Sequence, residues 1–175
     1  MPAASEERRT KIENILKEAA TPVTATSLAK TFGVSRQIIV GDIALLRAAG
    51  LAIDATPRGY MMSDGHGTNG KHYTIACIHT RENMEDELNA IVDNGCEVLD
   101  VVIEHKVYGQ LTGMLRIKSR YDVKQFIKKI DESDAPLSSI TGGIHIHNLI
   151  CPDDEAFERV KDELKKLGIL FENHK

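Results

Sequence analysis

The sequence predicts an α+β chain in two parts: an N-terminal winged helix-turn-helix and a C-terminal ferredoxin-like βαββαβ domain with an extra helix. The first 62 residues contain three helical patterns followed by a hairpin pattern, whereas the remainder alternates β-type runs with amphipathic helical runs. The polar segment SDGHGTNG, with three glycines in eight residues, separates the two patterns. We therefore expect an N-terminal domain at 1–63, a linker at 64–70 and a C-terminal domain at 71–175.

Apolar residues recur at helical spacing in three N-terminal segments, which predict helices from about residue 5 to 20, from 25 to 31 and from 36 to 49. Thr24 and Ser35 stand immediately before the second and third helices, where their hydroxyl groups are suited to N-capping. Gly33 lies between these helices and supplies the positive φ of a tight turn. After the third helix, two short β-type runs flank the sequence TPRG and predict a hairpin.

A short helix, a glycine-bearing turn, a longer helix and a hairpin are typical of a winged helix-turn-helix, in which the longer helix enters the DNA major groove. Arg36 and Gln37, at the start of that helix, are suited to bidentate bonds with guanine and adenine. Residues 1–62 carry eight Lys and Arg against six Asp and Glu, whereas the rest carries 14 against 20. The alternative to DNA binding is that these three helices form a module used only for protein contacts. The predicted contacts to operator DNA are Thr24, Ser35, Arg36, Gln37, Val40 and the hairpin-tip residue Arg58.

The C-terminal part contains β-type runs and amphipathic helices in the order βαββαβ, which is the order of a ferredoxin-like domain. A further helix follows, and a short strand is expected at 169–171. In that fold the first and fourth strands are antiparallel neighbours. The predicted strands cover 73–78, 96–103, 111–118 and 143–150, and the predicted helices cover 82–94, 121–131 and 153–167.

Three histidines and one glutamate are expected to converge in this domain. His145 and His147 are two apart in the fourth strand and therefore project from the same face. His79, at the end of the first strand, then lies beside the start of the fourth. Glu87 falls within the apolar stripe of the predicted helix at 82–94, where an unpaired carboxylate is costly to bury. These four side chains fit one divalent transition metal ion per chain, such as Zn or Ni.

Each of these four residues also has an ordinary interpretation, as a surface histidine at a strand end or a half-exposed carboxylate. Four protein ligands could form a closed structural site, or could leave two positions of an octahedral ion open, and the sequence does not decide between them. No nucleophile motif or phosphate-binding loop accompanies the cluster, so hydrolysis lacks a general base beside the metal. We therefore do not expect an enzyme.

The remaining composition indicates a cytoplasmic protein without a membrane span. No apolar run of about 18 residues is present, and the first ten residues lack the apolar core of a signal peptide. The three cysteines, Cys77, Cys96 and Cys151, form no CxxC pair. We expect all three to be reduced thiols packed in the core.

The helix-turn-helix and wing pattern, followed by His79, HKVYG at 105–109 and GGIHIH at 142–147, resembles the nicotinate-responsive repressors that carry a three-histidine (3H) domain. The resemblance covers nearly the whole chain, although Lys106 stands where the family motif usually has proline. It implies a repressor of genes for NAD synthesis or nicotinate uptake, acting as a homodimer with nicotinic acid as corepressor. The metal ligands of the family correspond to His79, Glu87, His145 and His147.

The same resemblance makes His105 and Tyr108 candidates for shaping the effector pocket, against the alternative of a turn at a strand end with a packed tyrosine. Two other functions remain open at this point. One is a metal-responsive repressor, in which the metal itself is the signal. The other is a metalloenzyme with a DNA-binding domain for autoregulation.

Overall fold

The computed structural model describes residues 2–63, 70–132 and 135–172. The chain divides into two compact units, Met1–Gly67 and Thr68–Lys175. Except for Gly70, the predicted linker at 64–70 lies outside the described residues. Within the described ranges, no helix combines the length and the apolar character needed to cross a membrane.

The N-terminal unit is a winged helix-turn-helix, as predicted. Its three helices bury one core that includes Ile12, Leu16 and Ile39. The hairpin gains a further pairing that the sequence analysis missed, because Val23 forms an antiparallel bridge with Tyr60. The elements are α1 (Pro2–Glu18), α2 (Ala25–Phe32), α3 (Arg36–Ala48), β1 (Ile53–Thr56) and β2 (Gly59–Met62).

The two predicted helix caps and the predicted turn are confirmed. The Thr24 hydroxyl accepts a hydrogen bond of 3.0 Å from the Ser27 amide, and the Ser35 hydroxyl accepts one of 3.3 Å from the Ile38 amide. Gly33 adopts φ 63°, in the left-handed region that favours glycine. Together these features fix where α3 begins and so which side chains its first turn exposes.

A buried carboxylate on α3 anchors that helix to α1. Asp42 accepts hydrogen bonds from Arg8, at 2.6 Å from Nε and 3.3 Å from the second guanidinium nitrogen. Arg9 adds an ion pair at 3.6 Å. Because a bidentate arginine fixes both position and orientation, this contact sets the angle of α3 within the unit.

The C-terminal unit is a four-stranded antiparallel sheet with three helices packed against it. Apolar side chains from the helices and the sheet form one core around Leu88, Ile91, Leu149 and Leu164. The elements are β3 (Lys71–Ile78), α4 (Met84–Asp93), β4 (Glu97–His105), β5 (Gly109–Ile117), α5 (Arg120–Asp131), β6 (Ile144–Cys151) and α6 (Asp154–Lys166), with 3-10 turns at Arg81–Asn83 and Leu137–Thr141.

The α+β class, the βαββαβ succession and the extra helix are confirmed, but the ferredoxin-like strand order is wrong. The order is β3-β6-β4-β5, so the fourth strand of the unit lies between the first and the second. A ferredoxin-like sheet instead has the fourth strand at an edge. The succession of elements is the same in both topologies and cannot distinguish them. The predicted antiparallel pairing of the first and fourth strands is confirmed, since β3 pairs with β6.

The end of the chain extends the β3 edge of the sheet, as expected for 169–171. Leu170 forms an antiparallel bridge with Cys77. The Ile78 amide donates to the Ile169 carbonyl at 2.8 Å, and the Phe171 amide donates to the Ala76 carbonyl at 3.0 Å. This pairing covers part of an edge that would otherwise expose unpaired backbone groups.

The expectation that all three cysteines are reduced is wrong for two of them. Cys96 and Cys151 form a disulfide with a Cα–Cα distance of 4.3 Å, although they are 55 residues apart in sequence. The sheet register explains the pairing, because Glu97 lies opposite Ile150 and the two cysteines are the next pair along the same strands. Such long-range neighbours cannot be found from cysteine spacing. Cys77 is a buried free thiol, as expected.

Candidate functional site

The pairing of β3 with β6 places the end of one strand beside the two histidines of the other. Cys77 lies opposite His145 in the register, and Ile75 lies opposite His147. The close approach continues beyond the paired residues, where a Cβ on Gly143 would lie only 2.2 Å from the carbonyl oxygen of His79. A glycine at 143 therefore allows the His79 backbone to reach the start of β6.

Helix α4 supplies the carboxylate. Glu87 lies on the inward face of α4 with Met84, Leu88 and Ile91, as its spacing predicted, and it is 1% exposed. A carboxylate buried to this degree needs charged or hydrogen-bonding partners. The partners are the three histidines.

All three predicted imidazoles point their Nε2 atoms at Glu87. The distances are 2.7 Å from His79 Nε2 to Oε2, 3.0 Å from His145 Nε2 to Oε1, and 3.5 Å from His147 Nε2 to Oε2. The four side chains are each 2–4% exposed. The structure thus brings together every residue that the sequence nominated for a metal centre.

The opposite nitrogen of each ring is held by a backbone carbonyl. His79 Nδ1 lies 2.6 Å from the backbone oxygen of Thr80, and His145 Nδ1 lies 2.8 Å from that of Gly143. His147 Nδ1 lies 2.6 Å from the backbone oxygen of Asp100. Because a carbonyl oxygen only accepts, each Nδ1 must donate. When the imidazole is neutral, the proton is therefore on Nδ1 and the lone pair is on Nε2. Histidines that bind a metal ion commonly have this tautomer, with the second ring nitrogen donating to a carbonyl.

Electrostatics within the cluster favour a positive charge among these atoms. Burial acts to raise the pKa of Glu87, but the charge attraction of His147 and the hydrogen bonds of His145 and His79 hold that pKa well below its ordinary value. Burial acts to lower the pKa of His79 and of His147, yet Glu87 raises both pKa values overall. Protons on the imidazoles therefore offset the carboxylate charge in a metal-free site.

One buried nitrogen of the cluster lacks a hydrogen bond. His147 Nε2 has no hydrogen-bond partner among the described residues, although it is buried and faces Glu87. A divalent cation among the three Nε2 atoms and the carboxylate would accept a lone pair from each. The donor set of three imidazoles and one carboxylate therefore suits a bound transition metal ion.

Three residues that the sequence analysis did not assign to the site support it. The Sγ of Cys77 belongs to a group with Glu87 and His145 whose ligand atoms all lie within 4.8 Å of one another. Asp100 orients His147 through its carbonyl oxygen, and its carboxylate accepts hydrogen bonds from the backbone amide and side chain of Asn148. Gly143 permits the approach of His79. Cys77 and His79 are two apart in sequence, as are His145 and His147, and strand residues two apart share a face. This spacing could have identified Cys77 as a neighbour of the site.

The two residues proposed for the effector pocket lie at the tip of the β4–β5 hairpin. His105 Nδ1 accepts hydrogen bonds of 3.2 Å from the amides of Val107 and Tyr108, so it differs in tautomer from the three cluster histidines. The rings of His105 and Tyr108 stack with centroids 4.9 Å apart, and Tyr108 is 74% exposed. These contacts give the pair a role in the shape of the turn, and its role toward an effector stays a prediction.

The residues predicted to contact DNA lie in α3, at the two helix caps and in the turn of the hairpin. The side chains of Arg36, Gln37 and Val40 are exposed at the start and on the outer face of α3. Thr24 and Ser35 are exposed caps of the two helices, and Arg58 is half-buried in the turn between β1 and β2. Contact of these residues with DNA stays a prediction.

Comparison with known proteins agrees with both halves of this description. Residues 8–61 match the family model of a helix-turn-helix (HTH) domain, and residues 72–173 match that of the 3H domain. The combination defines a class of DNA-binding transcription repressors rather than enzymes. The chain belongs to the family of 3H-domain proteins that carry an N-terminal helix-turn-helix.

Two relatives match nearly the whole chain. A probable transcription repressor NiaR of Thermotoga maritima is 39% identical over 173 residues, which are 98% of each chain. The transcription repressor NadR of Bacillus subtilis is 42% identical over 169 residues, which are 95% of this chain and 94% of that protein.

Proposed function

We propose that this protein is a metal-containing repressor of genes for NAD biosynthesis or nicotinate uptake, which binds operator DNA in the cytoplasm as a homodimer with nicotinic acid as corepressor. The observation that carries the proposal is the convergence of three Nε2 atoms on the Glu87 carboxylate, 2.7–3.5 Å away. The names of the two near full-length relatives support the repressor function.

In this proposal His79, Glu87, His145 and His147 would hold one divalent transition metal ion. The ion would supply a Lewis-acidic positive charge to which a carboxylate or a pyridine nitrogen can bind. The backbone fixes the direction of the three imidazoles, because a carbonyl oxygen accepts a hydrogen bond from the Nδ1 of each ring. His105 and Tyr108 would shape the pocket for the rest of the effector.

The DNA-binding half of the proposal rests on the exposed face of α3. Arg36 and Gln37 would contact base edges in the major groove, with Val40 beside them. Thr24, Ser35 and Arg58 would contact the phosphate backbone and fix the register. A homodimer would place two such helices in successive major grooves, about 34 Å apart.

The effector and the operator must be coupled if nicotinic acid is a corepressor. Linkage requires nicotinic acid to bind the DNA-competent state more tightly, and DNA then strengthens nicotinic acid binding by the same factor. The test uses metal-loaded protein and an operator selected with it from randomised duplexes. Operator affinity is measured with nicotinic acid and, separately, with nicotinamide.

Tighter operator binding with nicotinic acid alone supports the proposal and assigns recognition to the carboxylate. The proposal fails if nicotinic acid leaves operator affinity unchanged, or if operator DNA leaves nicotinic acid affinity unchanged. A parallel titration of operator DNA in the presence of a chelator distinguishes the effect of the metal from the effect of the effector.

The burial of the cluster favours a second candidate, a repressor for which the metal itself is the signal. Side chains that are 2–4% exposed enclose the site, as expected of a closed metal centre. This candidate predicts that chelation abolishes operator binding and that neither pyridine compound changes it.

A further inference from the structure

Cys77 is the one free thiol among the described cysteines, and it lies at the cluster rather than in a wholly apolar part of the core. It stands opposite His145 in the register of β3 with β6, and it is 0% exposed. Its Sγ, a Glu87 oxygen and a His145 nitrogen all lie within 4.8 Å of one another.

The spacing of these atoms fits a common ion. Ligand atoms bound to zinc at about 2.0–2.3 Å lie about 3.3–3.8 Å apart in a tetrahedron, and up to about 4.6 Å apart when they lie on opposite sides of the ion. The ligand atoms of the group around Cys77 lie within 4.8 Å of one another, which is close to this upper value. The pairing of Cys77 with His145 across β3 and β6 already holds the thiol on the side of the sheet where Glu87 and His145 lie.

A second observation independently indicates a ligand in this space. His147 Nε2 is buried, faces Glu87 at 3.5 Å and has no hydrogen-bond partner within the described ranges. A buried polar atom without a hydrogen-bond partner needs a physical explanation, and a bound cation supplies one. Glu87 is common to this contact and to the group around Cys77.

We propose that Cys77 is a further ligand of the metal ion, bound as a thiolate beside Glu87 and His145. This inference rests on the metal site proposed above. When the ion binds, the Cys77 S–H bond breaks, the proton leaves to solvent, and the sulfur lone pair forms the bond to the ion. No oxidation or reduction takes place.

A sulfur ligand changes which metals the site prefers. Thiolate favours soft and borderline ions such as Zn²⁺, Co²⁺, Ni²⁺ and Cu⁺, whereas a site of only imidazole and carboxylate discriminates less strongly against Mn²⁺. Cys77 would thus act as the selectivity determinant of the centre.

The test uses the full-length chain loaded with Co²⁺, because a cobalt–thiolate bond gives a sulfur-to-metal charge-transfer band in the near-ultraviolet. We expect the band in the unsubstituted protein and its loss in Cys77→Ser. The matched control replaces the disulfide pair, as Cys96→Ala with Cys151→Ala, and retains the band. X-ray absorption of the zinc-loaded unsubstituted protein supplies a readout that needs no variant, with one sulfur scatterer at about 2.3 Å.

Metal competition gives a further measure. Cys77→Ser is expected to lower Zn²⁺ affinity by at least about tenfold while changing Mn²⁺ affinity less, so that the ratio of the two affinities falls. Stoichiometric Co²⁺ binding without the band, or a zinc spectrum without sulfur, overturns the role of Cys77 and leaves the four-residue site standing. Failure of the unsubstituted protein to bind Co²⁺ or Zn²⁺ overturns the metal site itself.

Discussion

The imidazole of His147 and the carboxylate of Glu87 lie 3.5 Å apart, Nε2 to Oε2, in a space where both side chains are almost completely buried. The Nδ1 of the same ring donates to the Asp100 carbonyl at 2.6 Å, which directs Nε2 toward Glu87. Since Nε2 has no hydrogen-bond partner in the described part of the chain, the ring is positioned but not satisfied. This combination is expected of a ligand held ready for a cation.

The approach of His79 to β6 depends on Gly143, which leads to a first prediction. A Cβ at this position would lie 2.2 Å from the His79 carbonyl oxygen, and the residue has φ 94°. Gly143→Ala is therefore expected to displace His79 and lower Zn²⁺ affinity by at least about tenfold.

Gly142→Ala is the matched control for this prediction. Gly142 also has positive φ, at 65°, but an added Cβ would have no heavy atom within 4 Å. This variant should lose about 1–2 kcal/mol of stability from backbone strain and keep its metal affinity. Equal metal affinity in the two alanine variants would contradict the account.

Asp100 is expected to influence metal affinity without contacting the ion. Its carboxylate holds the Asn148 amide at 3.1 Å, and its carbonyl holds His147. Asp100→Ala removes the first contact and frees this part of β4 to shift, which should lower Zn²⁺ affinity about 10–100-fold. Asp154→Ala, which removes an exposed carboxylate from the same unit, should leave zinc affinity unchanged.

The start of α3 is expected to determine operator specificity. Arg36→Ala or Gln37→Ala should weaken binding to the selected operator by about 1–3 kcal/mol and relax the preference at one or two base pairs. Lys124→Ala removes an exposed lysine from the C-terminal unit and is the matched control. Competition with operator variants measures both effects. Unchanged base preference in both α3 variants would exclude this helix as the reader of sequence.

The ion pair of Arg8 and Asp42 is expected to stabilise the N-terminal unit. Asp42→Ala leaves a partly buried guanidinium without its bidentate acceptor, and should lower the free energy of unfolding by about 1.5–3 kcal/mol. Glu7→Ala breaks an exposed pair with Lys11 on the same helix and should have no measurable effect. Denaturant unfolding of the two variants compares them directly, and equal midpoints would refute the anchoring role of Asp42.

Sequence patterns were sufficient for features that depend on local spacing. Thr24 and Ser35 are predictable as caps because each hydroxyl precedes a helical pattern, and His145 and His147 share a face because strand side chains alternate. The convergence with His79 and Glu87 required only one long-range relation, the pairing of the first and fourth strands.

Features that depend on other long-range relations were missed. The succession βαββαβ does not determine which strand is interior, so the position of β6 between β3 and β4 was not found. The same gap concealed the Cys96–Cys151 disulfide, because these residues meet only through the register of β4 with β6. Asp100 acts through its backbone carbonyl, for which a side-chain pattern carries no signal.

The central claim is that the histidine cluster binds one metal ion per chain, and zinc titration with measured stoichiometry tests it most directly. The account predicts one Zn²⁺ per chain in the unsubstituted protein, and loss of tight binding in Glu87→Ala and His147→Ala. His72→Ala is the matched control, because His72 is an exposed histidine of β3 and should bind zinc as the unsubstituted protein does. Zinc binding that is equal in all four proteins, or absent from the unsubstituted one, would contradict the account.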